Sequence, residues 1–121
     1  MAKRILIVDD AAFIRMTLRN ILTTNGYEVV GEADNGDEAI VKYKELQPDL
    51  VTMDVMMPGV SGLETLQALM ILDGNANVLI ITVMGKQSMV AEAMQTGAKG
   101  FLIKPFSASA VLAEVKRILK D

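Results

Sequence analysis

The sequence predicts one α/β domain in which five strands alternate with five helices. Runs 5–8, 50–53, 78–81 and 100–103 are almost continuously apolar or β-branched, over lengths that suit strands buried on both faces. The segments between them repeat apolar residues at helical spacing. Short polar stretches containing Gly, Asn or Pro separate strand from helix. Regular alternation with short connections implies a parallel sheet with helices on both faces.

Taken in order, Ile5-Leu6-Ile7-Val8 forms the first strand. In the first helix Ile14, Leu18, Ile21 and Leu22 share a face, and Asn25-Gly26 stops it. The second strand, 28–32, is shorter and more charged, which suits a position near the sheet edge. After the Asn35-Gly36 turn, Ala39, Tyr43 and Leu46 line a second helix that must stop before Pro48. Strand 50–53 runs into Asp54 and a loop through Ser61. The third helix follows, with Leu63, Leu66, Leu69 and Met70 inward and Asp73-Gly74-Asn75 at its end. Strand 78–81 ends in Thr82. The fourth helix carries Met89, Val90, Ala93 and Met94 and ends at Gly97; Met89 and Met94 are expected in the core, with a partner groove as the second reading. The fifth strand ends in Lys104. Ser107 is a suitable N-cap for a last helix with Val111, Leu112, Val115, Ile118 and Leu119 on one face.

Composition narrows the function. At 121 residues the chain is expected to be one domain, 1–121, without linker or repeat, and large enough to need no disulfide or structural metal. There is no cysteine, which fits a reducing compartment, and no histidine, which removes the commonest general base and zinc ligand. A net charge of −3, with no basic stripe, argues against nucleic-acid binding. No apolar run approaches the ~20 residues that span a bilayer, and the first residues are too short of apolar character for a signal sequence. A cytoplasmic protein is expected.

The chemistry lies at the strand ends. Asp9-Asp10, Asp54, Thr82 and Lys104 follow four of the five strands. In a parallel sheet these ends share one edge, where α/β proteins place their sites. Any one of them is explained by a strand ending in solvent. Together they are one complementary set: three carboxylates, a hydroxyl and an ammonium. Clustered carboxylates repel, and a hard divalent cation removes the conflict. Mg²⁺ prefers oxygen ligands, usually one or two carboxylates plus water and phosphate. Asp54 is then the candidate nucleophile for a phosphoryl group, with Lys104 and Thr82 contacting its oxygens.

These residues resemble the receiver domain of two-component response regulators, along the whole chain. The matching motifs are Val8-Asp9-Asp10, Asp54 with Met57-Pro58 and Gly62, Thr82, and Lys104-Pro105-Phe106. The segment Asp9 to Arg15 resembles the single-domain chemotaxis subgroup. The resemblance, and not periodicity, implies a flavodoxin-like (βα)5 receiver with strand order 2-1-3-4-5. It implies that Asp54 is phosphorylated by a partner sensor histidine kinase. It assigns Mg²⁺ to Asp10 and Asp54, with Asp9 assisting and the Met56 backbone carbonyl as a further ligand. It makes Lys104-Pro105 a cis peptide and makes Thr82 and Phe101 the switch pair. Phosphorylation would alter the face of the fourth helix, fifth strand and fifth helix, to which a flagellar motor switch protein or other effector binds. A monomer is expected. Because the chain has no histidine, the donor histidine must belong to another protein.

Two departures from the family pattern stand out. Val83 replaces the usual small residue after Thr82 and is expected to crowd the phosphoryl site. Met56 and Met84, two residues past Asp54 and Thr82, cannot orient an attacking water. Slow self-dephosphorylation follows, with a separate phosphatase or reverse transfer resetting the protein.

Rival readings are weaker. An aspartate-nucleophile phosphatase needs an acid two residues past Asp54, where Met56 stands. The chain is therefore not expected to be an enzyme beyond its own phosphoryl transfer and slow hydrolysis. A flavin module would want a Ser/Thr/Gly-rich loop after the first strand, where Asp9-Asp10-Ala11-Ala12 would repel phosphate. Within the family, the alternatives are a sporulation or relay receiver, or the receiver of a multidomain regulator.

Overall fold

The computed structural model describes residues 2–121. The elements alternate without exception: β1 Arg4–Val8, α1 Ala12–Thr24, β2 Glu28–Ala33, α2 Gly36–Leu46, β3 Leu50–Met53, α3 Gly62–Leu72, β4 Val78–Thr82, α4 Gln87–Thr96, β5 Gly100–Ile103 and α5 Ala108–Leu119. The five strands form one parallel sheet in the order β2-β1-β3-β4-β5. That is the order the family resemblance implied. Among the described residues no helix is long and apolar enough to cross a membrane.

Strand alternation divides the core into two layers. Leu6, Val8, Val51, Met53, Val78 and Ile80 face one side and pack beneath α2, α3 and α4. Ile5, Ile7, Leu50, Leu79 and Ile81 face the other, beneath α1 and α5. The central strands are buried on both faces, which is why they read as unbroken apolar runs. β2 is an edge strand, only partly covered, as its charge suggested.

Side-chain caps fix three helix starts. Asn35 accepts from the Glu38 amide at 2.9 Å, Ser61 from Glu64 at 3.2 Å, and Ser107 from Ala110 at 3.1 Å. α2 and α5 end at residues of left-handed conformation, Gln47 and Lys120. Lys104-Pro105 is cis.

The fourth helix departs from expectation. Ala93 is buried, but Met89 is only partly so and Met94 is 43 % exposed. At about 100° per residue, Met94 lies some 140° around the helix from Met89, off the face that meets the sheet. An apolar residue at that position is a surface feature, not core filler.

Thr52 lies mid-strand in β3, fully enclosed beside Ile7 and Leu79. Its hydroxyl is the one buried side-chain polar atom without a partner among the described residues. A buried hydroxyl without a partner costs stability that an isosteric methyl does not. Thr52→Val is expected to raise the unfolding free energy by roughly 1 kcal/mol, seen as a higher urea midpoint at unchanged slope. A lowered midpoint in the urea titration would show that the hydroxyl serves an interaction in solution.

Candidate functional site

The chain leaves β1 toward β2 on one side and returns through β3 on the other. A crevice forms where the strand order reverses, between the carboxyl ends of β1 and β3. Asp9 and Asp54 end those two strands. The ladder continues one step past them: the Asp54 amide donates to the Val8 carbonyl at 3.1 Å, and the Asp9 amide donates to Ala33 at 3.0 Å. Both acids therefore sit on paired, rigid backbone.

Asp9 and Asp54 are 1 % and 5 % exposed, whereas Asp10 is open to solvent. The three carboxylates each place an oxygen within 4.8 Å of the others. Lys104, at the end of β5, reaches across the site. Its Nζ donates to Asp9 Oδ2 at 2.7 Å and to Asp54 Oδ2 at 2.9 Å. The second oxygens take backbone donors: Ala11 to Asp9 Oδ1 at 2.9 Å and Met56 to Asp54 Oδ1 at 3.0 Å. Burial pushes the Asp9 carboxyl above its ordinary range, outweighing the contacts from Lys104 and Ala11. Burial works against the charge on Lys104, but its hydrogen bonds to Asp9 and Asp54 win and hold its pKa up.

Thr82 ends β4 and is fully buried. Its Oγ1 meets only the Met84 amide, at a long 3.5 Å, so the hydroxyl keeps most of its bonding capacity. It does not touch the acids or the Lys104 side chain; the link is through backbone, the Lys104 amide donating to the Thr82 carbonyl at 2.8 Å. Phe101 pairs with Ile80 across β4 and β5 and packs, half-buried, on the α2–α3–α4 side. By alternation Thr82 lies on that same side, one pleat along. Val83 is exposed. The Met56 side chain is exposed too, and its carbonyl accepts no hydrogen bond among the described residues. A cleft lined by Asp10, Val55, Met56, Met57, Pro58 and Ser61 opens beside these groups.

Gly62 matters more than a motif letter suggests. A Cβ there would stand 2.1 Å from the Asp54 carbonyl oxygen and 2.5 Å from the Val55 Cα. The start of α3 thus presses directly on the backbone that carries Asp54, and the Gly62 amide closes the loop on Val55 at 2.8 Å.

Sequence reasoning missed Arg15 and Glu32. Arg15 on α1 donates from Nη1 to the Asp9 carbonyl at 2.8 Å and from Nε to Glu32 on β2 at 3.0 Å. The first contact spans six residues across the β1–α1 turn and the second spans 17, and neither leaves a periodic signal. The only hint was a charged residue at the inner end of an edge strand.

The donor set suits a hard cation. It is all oxygen, with lone pairs unused on both buried acids and no hydrogen bond to the Asp10 carboxylate among the described residues. Lys104 offsets one of the three negative charges.

Comparison with known proteins defines the class. The family model of the response regulator receiver domain matches residues 5–116. The chain belongs to that family. The chemotaxis protein CheY of Thermotoga maritima is 52 % identical over 120 residues, 99 % of this chain and 100 % of that protein. CheY of Bacillus subtilis is 52 % identical over 119 residues, 98 % of this chain and 99 % of that protein. A crystal structure of a CheX–CheY–BeF3–Mg complex from Borrelia burgdorferi aligns with a TM-score of 0.94 at 36 % identity, covering 96 % of this chain and 88 % of that one. Within the family this is a chemotaxis-type response regulator, and its relatives are signalling proteins.

Removing Lys104 leaves two buried carboxylates uncompensated. Lys104→Ala is expected to cost about 3 kcal/mol near neutral pH in EDTA. Asp9 is already raised, so its ionisation works against folding, and losing the ammonium pushes it further up. The variant then regains stability as pH falls and Asp9 takes up a proton. Urea titrations from about pH 7 to about pH 4 should show the gap to wild type closing; a constant gap would contradict the assigned charges.

Proposed function

We propose that Asp54 is the phosphoryl acceptor and that the donor is a phosphohistidine on a partner sensor kinase. A carboxylate oxygen of Asp54 attacks phosphorus in line. An O–P bond forms as the N–P bond breaks, and the histidine nitrogen keeps the electron pair. The observation that carries this reading is the placement of Asp54, buried at a strand end, between Lys104 and two further acids.

Asp10 and Asp54 hold Mg²⁺ in this reading, with Asp9 assisting and the Met56 carbonyl as the remaining protein ligand. The bound ion supplies charge neutralisation for the acids and the phosphoryl oxygens. Lys104 already bonds Asp54 Oδ2, so it is placed to follow negative charge outward onto a phosphoryl oxygen. The Thr82 hydroxyl, with only one long contact, is available to donate to another. Thr82 and Phe101 then form the switch. The reader of the phosphorylated state is a flagellar motor switch protein or a similar effector at the α4–β5–α5 face, where Met94 and Ile103 are exposed. The protein works as one receiver domain, 1–121, in the cytoplasm, signals through protein contact, and has no turnover beyond its own phosphoryl transfer and hydrolysis.

Incubation with a small acyl phosphate and Mg²⁺, followed by intact mass and peptide mapping, tests this. One phosphoryl group should appear on Asp54. It should be absent in Asp54→Asn and in EDTA; a label that survives in Asp54→Asn would overturn the assignment. Met56 and Met84 offer no side-chain hydrogen bond to an attacking water, so the label should persist without a partner. Decay within seconds would refute the slow hydrolysis.

A further inference from the structure

We propose that Arg15 is a positioning residue for the divalent-cation site, acting by locking the Asp9–Asp10 peptide. This rests on the reading of Asp10 as a cation ligand. The peptide unit is planar, so fixing the Asp9 carbonyl also fixes the direction of the Asp10 amide and the place of its Cα. Arg15 Nη1 holds that carbonyl at 2.8 Å. The Asp9 end of the unit is anchored twice more, by its amide on Ala33 at 3.0 Å and by Ala11 on Oδ1 at 2.9 Å. Beyond it the chain enters α1 at once. The Asp10 carboxylate accepts no hydrogen bond among the described residues. No side-chain contact holds its rotamer, so what the fold sets is the position of its backbone, and Arg15 is one of the groups that holds that backbone.

Arg15 is itself held. Glu32 on β2 accepts its Nε at 3.0 Å on one oxygen and the Nε of Arg19 at 2.7 Å on the other. The Arg15 side chain is 19 % exposed and that of Arg19 is 42 %. A guanidinium bonded through two different nitrogens, to Glu32 and to Asp9, has little freedom left. Arg19 shares the carboxylate but does not reach the Asp9 carbonyl, so nature supplies a control one helical turn away.

The sign of the effect discriminates. Deleting a positive charge beside a cation site strengthens cation binding by Coulomb's law. Loss of ligand orientation weakens it, because Mg²⁺ tolerates little departure from octahedral geometry. Partners that orient metal ligands are typically worth 10- to 100-fold in affinity. Arg15→Ala should therefore bind Mg²⁺ about tenfold more weakly than wild type, against the electrostatic expectation. Arg19→Ala should bind it as wild type does.

Isothermal titration of Mg²⁺ into the full chain, paired with urea midpoints in EDTA, is the test. Both arginine variants should lower the urea midpoint, since both break the bond to Glu32; only Arg15→Ala should lose affinity. Unchanged or tighter binding by Arg15→Ala, or equal weakening in Arg19→Ala, overturns the proposal. Should Arg15→Ala fail to fold, Arg15→Lys is read in its place. It keeps the charge but cannot span Glu32 and Asp9 together, so weaker binding supports the role and wild-type binding refutes it. Asp10→Asn separates the two readings. If wild type binds no Mg²⁺ that Asp10→Asn abolishes, the cation site itself fails and the role of Arg15 falls with it.

Discussion

The Lys104 ammonium, within 3 Å of both Asp9 and Asp54, is the contact around which the site is arranged. Neither acid has solvent to screen it, and Asp10 adds a third negative charge within 4.8 Å. One ammonium leaves two of those charges uncompensated, which is the charge of one divalent cation. The protein thus makes an electrostatic deficit at a strand edge. It tolerates the deficit because the two buried acids are also bonded by the Ala11 and Met56 amides.

Backbone rigidity makes that arrangement specific. The acids lie at paired positions just past β1 and β3, not on free loops, so their separation follows from the spacing of adjacent strands. Gly62 lets α3 start against the Asp54 carbonyl, and Arg15 ties the β1–α1 turn to edge strand β2. Asp10 is the exception: it alone projects into solvent without side-chain partners. The site therefore combines two preset carboxylates with one whose backbone is held by the turn beneath it.

Much of the framework was legible because buried parallel strands have little choice of residue. The unbroken apolar runs and the polar residue closing each central strand gave both the sheet and its working edge. Strand order came only from family resemblance, since periodicity carries no information about which strands are neighbours. What stayed hidden is tertiary. Met94 read as core because it is apolar, yet its angle on α4 turns it outward. Thr52 read as an ordinary β-branched strand residue, and its stranded hydroxyl needed the packing to be seen. The Arg15–Glu32 clamp joins α1 to an edge strand across 17 residues, a distance that no local pattern encodes.

The sheet also separates chemistry from response. By strand alternation Asp9, Asp54 and Lys104 extend the side covered by α1 and α5, while Thr82 and Phe101 belong to the side covered by α2, α3 and α4. In the proposed reading a phosphoryl group on Asp54 meets the Thr82 hydroxyl at the corner where β4 and β5 end, with Phe101 behind it on the α2–α3–α4 side. The direct bond at that corner is the Lys104 amide on the Thr82 carbonyl. Lys104 consequently belongs to both halves: its ammonium is bonded to Asp54, and its backbone amide is bonded to Thr82. A substitution there mixes loss of charge with loss of coupling, whereas changes at Thr82 or Phe101 leave the acids and their ammonium in place. That asymmetry follows from register alone, and it sets the order in which the site's parts can be dissected.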